Sequence, residues 1–265
     1  MSVGHNHDDP GSQIEKAITP FPKSLLTVTN LTIQAKKRGE AATLVSDVSF
    51  RVSAGKTLAL TGESGSGKTL TSLALVGLLP ETVHQSSGEI RFNGKVLSQT
   101  GKHRFSSVRG AEIAMIFQEP LAALNPVFRV GHQIEDVVQT HRHLPSRLAR
   151  EYALELLRQV DLQEPVKVHN AYPHQLSGGM AQRVMIAMAL SCGPGLIIAD
   201  EPTTALDVLT QGKILSLISE LQKAYEFALL LISHDKNVVA QMADSIIEMD
   251  AGKIVEPFRV TPLPL

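Results

Sequence analysis

The sequence has 265 residues, of which 43% are hydrophobic and 19% are charged, and its 25 basic and 26 acidic side chains give a net charge of −1. Such a composition is typical of a globular chain with one large or two small domains, and it excludes an intrinsically disordered protein. The near-zero charge argues against a dedicated nucleic-acid-binding protein, and the single cysteine excludes a disulfide framework and a cysteine-rich zinc site.

The first 24 residues are predicted to form a mobile tail, because they lack hydrophobic periodicity and contain three prolines. Their segment 5–9 (HNHDD) is either a transition-metal site or a solvated terminus. The tail has no apolar stretch of the secretory type. The apolar runs of the chain, such as residues 73–79 and 227–232, are too short to span a membrane.

From residue 25 onward, short apolar runs alternate with longer helical patterns. Strands are predicted at 26–33, 48–52, 57–61, 113–117, 196–199, 228–232 and 246–249, a hairpin at 88–97, and helices at 68–79, at two places within 130–162, at 180–190 and at 206–223. This alternation predicts an α/β fold with a mostly parallel sheet. The segment 119–175 is rich in helix signals and is predicted to be an inserted helical subdomain.

Residues 62–69, which we call the phosphate loop, match the pattern G-x-x-x-x-G-K-[ST] between a predicted strand and a predicted helix. The predicted nucleotide-binding residues are Gly62, Glu63, Ser64, Gly65, Ser66, Gly67, Lys68 and Thr69. Backbone N–H groups and the helix N-terminus bind phosphate, Lys68 contacts the β- and γ-phosphates, and the Thr69 hydroxyl faces Mg²⁺. The sequence therefore predicts a nucleoside triphosphate site.

Two carboxylates follow the apolar strand 196–199. A strand end beside the phosphate loop places Asp200 near Mg²⁺ and Glu201 near the γ-phosphate. Glu201 is then predicted to be the general base for the attacking water.

Residues 176–180 (LSGGM), which we call the signature segment, resemble the LSGGQ signature of the ATP-binding cassette (ABC) ATPases, with Met180 in place of Gln. The resemblance implies that Ser177, Gly178 and Gly179 bind the γ-phosphate of ATP held by a second subunit. It also implies that Gln118 reaches Mg²⁺ and water, that residues 205–207 cross the dimer interface, and that His234 contacts the γ-phosphate and steadies Glu201. Catalysis is thereby assigned to Glu201, His234 and Lys68.

The resemblance covers residues 25–256 and implies a P-loop NTPase fold of the ABC type, with an inserted helical subdomain and an antiparallel β subdomain. Residues 257–265 are predicted to be a short C-terminal tail. The implied cofactors are ATP and Mg²⁺, and the implied metal-binding residues are Thr69, Gln118 and Asp200. One departure concerns the adenine, because residues 31–45 contain no aromatic side chain. We expect weaker discrimination between ATP and GTP, with residues 36–38 as one alternative cover for the base and a solvated loop as the other.

Residues 116–130, 172–190 and 197–208 are similar to the ATPases of dipeptide, oligopeptide and nickel importers. In its compact length and its early loop free of aromatics the chain most resembles the nickel-import ATPases of this group, and the resemblance implies nickel or a nickel-like chelate rather than peptides as the cargo. The implied partners are two membrane-spanning permease subunits, a second ATPase subunit as heterodimer or homodimer, and an external solute-binding protein reached through the permeases, with no nucleic acid. The implied location is the cytoplasmic face of the bacterial inner membrane.

The sequence disfavours two other functions. An ABC ATPase acting on DNA or ribosomes is disfavoured because the chain has one cassette, no sustained heptads and no cysteine pairs. A regulatory cassette without hydrolysis is disfavoured because Glu201 and His234 are both present.

Overall fold

The computed structural model describes residues 24–36, 41–99, 102–204 and 206–260. The segment 5–9, nearly all of the predicted N-terminal tail, and Lys37, Arg38 and Ala205 lie outside the described residues.

The strands are β1 (Ser24–Lys36), β2 (Ala41–Ser53), β3 (Thr57–Thr61), β4 (Val83–Phe92), β5 (Lys95–Gln99), β6 (Lys102–His103), β7 (Ile113–Ile116), β8 (Leu196–Asp200), β9 (Ala228–Ile232), β10 (Ser245–Asp250) and β11 (Lys253–Val260). The helices are α1 (Lys68–Leu75), α2 (Pro120–Ala123), α3 (Val130–Arg142), α4 (Ser146–Gln159), α5 (Pro165–Asn170), α6 (Gly178–Leu190), α7 (Val208–Tyr225) and α8 (Lys236–Met242), with a 3₁₀ turn at Pro173–Gln175.

A mostly parallel sheet runs in the order β11-β10-β3-β9-β8-β7, and within it only the pair β10–β11 is antiparallel among the residues described. Its central strands β8 and β9 are buried along their whole length. Burial on both faces explains why these strands are continuous apolar runs rather than alternating patterns. The predicted α/β class is confirmed.

The second sheet is antiparallel, in the order β2-β1-β4-β5-β6. Strands β4 and β5 are joined by the predicted turn, in which Asn93 has φ 47° and Gly94 has φ 78°. Two successive positive φ values give the turn whose twist matches a hairpin, and Asn-Gly is the pair that adopts it most readily.

Alternate residues of the parallel sheet face different layers. Ile197 and Leu229 pack against α3 to α7, whereas Ile198 and Leu230 pack against α1 and the antiparallel sheet. The two-residue period of a strand produces this division. The parallel sheet therefore lies between two apolar cores and fixes the positions of its own strand ends.

Several boundaries differ from the sequence prediction, among them those of α1, β1 and β11. Helix α1 ends at Leu75 rather than at residue 79, because Gly77 adopts a left-handed φ of 67° and the amide of Leu78 folds back to the carbonyl of Leu73. Strand β1 begins at Ser24, inside the predicted tail, and β11 continues to Val260, past the predicted domain end at 256. Within the described part of the chain, no helix has the length and apolarity to cross a bilayer.

Candidate nucleotide-binding and hydrolysis site

The phosphate loop leaves the end of β3 and enters α1, as predicted. Gly62 has φ 141°, and a Cβ atom at this position would lie 2.1 Å from the carbonyl oxygen of Met249 in β10. Only glycine allows the loop to pass this close to the neighbouring strand. The amide of Gly252 also donates to the carbonyl of Ser66 at 3.1 Å, so the loop is held from the β10–β11 turn.

The ammonium group of Lys68 lies inside the loop. Its Nζ donates to the carbonyl oxygens of Gly62 at 2.8 Å and Glu63 at 2.7 Å. Burial lowers the pKa of Lys68, while the charges of Glu201 and Asp200 act in the opposite direction. A desolvated cation among backbone dipoles is suited to an anion such as phosphate.

Thr69 and Asp200 meet where β3 and β8 end. The Thr69 hydroxyl lies 3.4 Å from Asp200 Oδ1, and Asp200 is only 3% exposed. Burial raises the pKa of Asp200 to about 6, with a smaller upward contribution from the charge of Glu201. A hydroxyl and a buried carboxylate are hard oxygen donors that fit Mg²⁺, and a divalent cation would compensate the cost of burying the negative charge.

Glu201 is held by three side chains. Its Oε1 lies 3.0 Å from His234 Nδ1, and its Oε2 accepts from Gln118 Nε2 at 3.1 Å and from the Thr204 hydroxyl at 2.9 Å. Gln118 and His234 were singled out by the sequence, but Thr204 was not. A threonine in a loop carries no pattern of its own, and only the folded turn reveals its contact.

An open cleft of about 1130 Å³ joins these groups. Of the predicted site residues, it is lined by Gly62, Glu63, Ser64, Gly65, Gly67, Lys68, Thr69, Gln118, Glu201 and His234. Ser66 and Asp200 lie behind this surface and are bonded to residues that line it. The structure therefore brings the phosphate loop, the β8 end, Gln118 and His234 to one place.

Leu44, at the end of the cleft formed by β2, was missed by sequence reasoning. It is half-buried and lines the cleft, whereas Lys36 does not belong to the described lining. An aliphatic side chain therefore occupies the part of the wall formed by the first two strands. Strand alternation around Val45 was the available signal, because it places Leu44 and Val45 on opposite faces.

The signature segment lies elsewhere. Ser177, Gly178 and Gly179 do not line the cleft in the part of the chain that the structure describes. They form the start of α6 and are partly or fully exposed, and Ser177 Oγ caps the helix by accepting from the amide of Met180 at 3.3 Å. Gly179 packs against Thr210 at the start of α7, where Asp207 caps the helix.

A glycine loop between a parallel strand and a helix, with carboxylates at the end of a nearby strand, is the arrangement by which P-loop nucleoside triphosphatases bind a triphosphate. Fold and site together define this class. A family model described as ABC transporter matches residues 45–204. The chain belongs to the ABC transporter family and carries its ATP-binding domain, whose ATP hydrolysis is coupled to transport.

Several curated proteins are similar to this chain. The oligopeptide transport ATP-binding protein AppD of Bacillus subtilis is 44% identical over 241 residues, which are 91% of this chain and 74% of AppD. The dipeptide transport ATP-binding protein DppD of Escherichia coli is 43% identical over 233 residues, 88% of this chain and 71% of DppD. The glutathione import ATP-binding protein GsiA of Pectobacterium atrosepticum is 47% identical over 246 residues, 90% of this chain but only 39% of GsiA.

Solved structures agree with this assignment. The ATP-binding cassette MJ0796, described as a dimer in a post-hydrolysis state bound to ADP and Pi, superposes with a TM-score of 0.77 at 28% identity. The alignment covers 90% of this chain and 99% of MJ0796. The predicted ABC-type P-loop fold is confirmed.

Proposed function

We propose that this chain is the ATP-hydrolysing subunit of a bacterial importer of peptides. The observation that carries the proposal is the position of Glu201, which lines the same cleft as Lys68 and is bonded to both Gln118 and His234. A carboxylate fixed beside a phosphate-binding loop acts as general base on water, an effect that supplies roughly 10²–10⁴-fold in rate.

ATP is the proposed nucleotide. The phosphate loop supplies backbone N–H groups and Lys68 to the phosphates, while Thr69, Asp200 and Gln118 would hold Mg²⁺. When bound, the metal neutralises charge on the phosphate oxygens. Leu44 offers an aliphatic contact to the base, which lacks the directional preference of an aromatic stack, and this supports weak discrimination between ATP and GTP.

A second ATPase subunit is proposed because the signature segment lies outside the chain's own cleft. Its serine and glycines are exposed beside the start of α7, where Val208 is 83% and Leu209 is 79% exposed. Apolar side chains this exposed mark a surface that another protein covers. The similar cassette MJ0796 is described as dimeric, which supports a dimer of this chain with itself or with a different ATPase.

The permease surface is proposed to lie just after Gln118. Leu121, Val127 and Phe128 follow it between β7 and α3, and all three are exposed, Val127 by 71%. A partner that packs on this patch sits next to the glutamine that holds Glu201. We place one of the two permease subunits here, with the chain on the cytoplasmic face of the inner membrane and an external binding protein delivering the cargo.

The proposed cargo is a peptide. The relatives described above are named for oligopeptide, dipeptide and glutathione import, which favours the peptide alternative over nickel. The expectation of nickel finds no support in these names. Because cargo passes through the permeases in this scheme, no residue of the ATP site distinguishes the two cargoes.

The test is uptake by a strain that lacks this gene. Complementation with the wild-type gene is expected to restore uptake of a radiolabelled dipeptide but not of Ni²⁺, and Lys68→Ala is expected to restore neither. Nickel uptake without peptide uptake would overturn the proposal of a peptide cargo. Dipeptide uptake driven by the Lys68→Ala chain would overturn the proposed role of the ATP site.

A further inference from the structure

Thr204 contacts Glu201, although no motif assigns it a role. Its Oγ1 lies 2.9 Å from Glu201 Oε2, and because an ionised carboxylate only accepts, the hydroxyl donates. Gln118 shares the same oxygen at 3.1 Å, and His234 contacts Oε1 at 3.0 Å. Each oxygen of the carboxylate is thus held, and Thr204 makes the shortest of the three contacts.

The backbone of Glu201 needs such support. Its φ of 45° lies in the left-handed region, which is disfavoured for a residue with a Cβ and persists only when its surroundings impose it. The amide of Glu201 donates to the carbonyl of Ile232 at 3.0 Å, and the amide of Thr204 donates to the carbonyl of Glu201 at 3.3 Å. Thr204 therefore contacts Glu201 through both its main chain and its side chain.

The location of Thr204 separates it from nucleotide binding. Among the residues described, the lining of the cleft includes Glu201 but not Thr204. Thr204 is an exposed residue of the turn that leads from β8 to the start of α7, where Asp207 caps the helix and Val208 is exposed. Its hydroxyl acts on the carboxylate of Glu201, not on ATP.

We propose that Thr204 is a positioning residue whose hydroxyl holds the carboxylate of Glu201 in the orientation that accepts a proton from water. This inference rests on the proposed role of Glu201 as general base. A hydrogen bond to a charged group contributes enough that its loss lowers a rate roughly ten- to hundredfold. The loss falls on kcat, while KM for ATP is unchanged, because the phosphate loop is untouched.

The test is steady-state ATP hydrolysis by the full chain assembled with its permease subunits. Thr204→Val keeps the shape and removes the donor, so kcat is expected to fall roughly ten- to hundredfold with KM within about twofold. Thr204→Ser keeps the hydroxyl and is expected to retain most of the wild-type kcat. The matched control is Thr203→Val in the same turn, with an expected kcat close to that of the wild type.

A wild-type kcat in Thr204→Val overturns the proposal, and so does a rise in KM that accounts for the loss, or a serine variant as slow as the valine variant. ATP titration checks that each variant is folded, and Thr204→Ala replaces the valine variant where the latter fails to bind ATP. Glu201→Gln is assayed in parallel. Hydrolysis by Glu201→Gln refutes the base itself, whereas an inactive Glu201→Gln beside a fully active Thr204→Val refutes only the role of Thr204.

Discussion

The phosphate loop and the signature segment are both glycine-rich turns at the start of a helix, yet one is enclosed by the protein and the other is exposed. The phosphate loop is enclosed, with Lys68 among backbone carbonyls and Asp200 buried behind it. The signature segment is exposed, and within the described residues the hydroxyl of Ser177 accepts a hydrogen bond only from the amide of Met180 in its own helix.

This contrast indicates a division of labour. The enclosed region concentrates charge at an electrostatic cost, visible in the lowered pKa of Lys68 and the raised pKa of Asp200. The exposed region carries no such cost and presents a hydroxyl and N–H groups outward. In the proposed dimer the phosphate loop of one chain faces the signature segment of the other, and the two meet only when ATP lies between them.

The largest effect is expected from Glu201→Gln, which acts on the enclosed region. The amide keeps the size of the side chain but does not accept the proton from water, so kcat is expected to fall roughly 10²–10⁴-fold. ATP binding persists, because Lys68 and the loop are unchanged. Single-turnover hydrolysis and ATP titration measure the two quantities, and an unimpaired kcat would remove Glu201 from its role.

The second prediction concerns the exposed region. Ser177→Arg places a bulky cation on the surface offered to the partner, so it is expected to abolish ATP trapping by the partner chain and to spare trapping by its own. Photolabelling of each chain in the assembled complex with an azido-ATP distinguishes the two sites. His174→Arg, three residues earlier, is the control. Loss of label on the mutated chain instead of its partner would contradict the division.

The third prediction concerns the free energy of unfolding that the chain loses by burying the charge of Asp200. Because the folded-state pKa of Asp200 is raised from 3.8 to about 6, this carboxyl favours folding below pH 4 and loses that contribution as the pH rises through about 6. Asp200→Asn is therefore expected to raise the free energy of unfolding of the nucleotide-free chain by about 3 kcal/mol at pH 7.5 and to leave it unchanged near pH 3.5.

Urea denaturation at the two pH values measures this difference, without Mg²⁺ or nucleotide. Glu248→Gln, an exposed carboxylate at the rim of the same cleft, is the control with no expected effect. A destabilised Asp200→Asn at pH 7.5 would show that the buried charge is compensated within the protein.

The smallest effect is expected where the cleft contacts the nucleobase. Leu44→Tyr adds a ring to the wall of the cleft, and since an aromatic stack contributes about 0.5–1.5 kcal/mol, the preference for ATP over GTP is expected to rise roughly two- to tenfold. Competition binding of the two nucleotides measures it. Leu44→Met is the matched control, and an unchanged ratio in the tyrosine variant would exclude Leu44 from contact with the base.

The sequence predicts a structural feature correctly where a few consecutive residues determine the backbone conformation by themselves. The turn 62–67 joins a predicted strand to a predicted helix, and Asp200 ends the strand predicted at 196–199. The helix that Ser177 caps begins two residues before its predicted start at 180. The apolar run 73–79 predicts a helix end at residue 79, but the helix ends at Leu75 because Gly77, just past it, adopts the left-handed conformation that stops a helix.

What the sequence did not reveal depends on long-range packing. Leu44 lines the cleft only because the β1–β2 hairpin lies over the phosphate loop, with Gly67 close to Val45. Thr204 contacts Glu201 only because the backbone turns at a φ that no pattern encodes. Neither contact can be predicted from the residues that flank Leu44 or Thr204 in the sequence.

The exposed apolar side chains have a consequence for how the cell must produce this chain. Val127 and Phe128 on one surface and Val208 and Leu209 on another remain uncovered in the single subunit. A chain without its partners therefore exposes two apolar surfaces that can bind other proteins non-specifically. In the proposed assembly the permeases and the second ATPase cover these side chains, so co-expression with them is expected to give a higher yield of intact chain than expression alone.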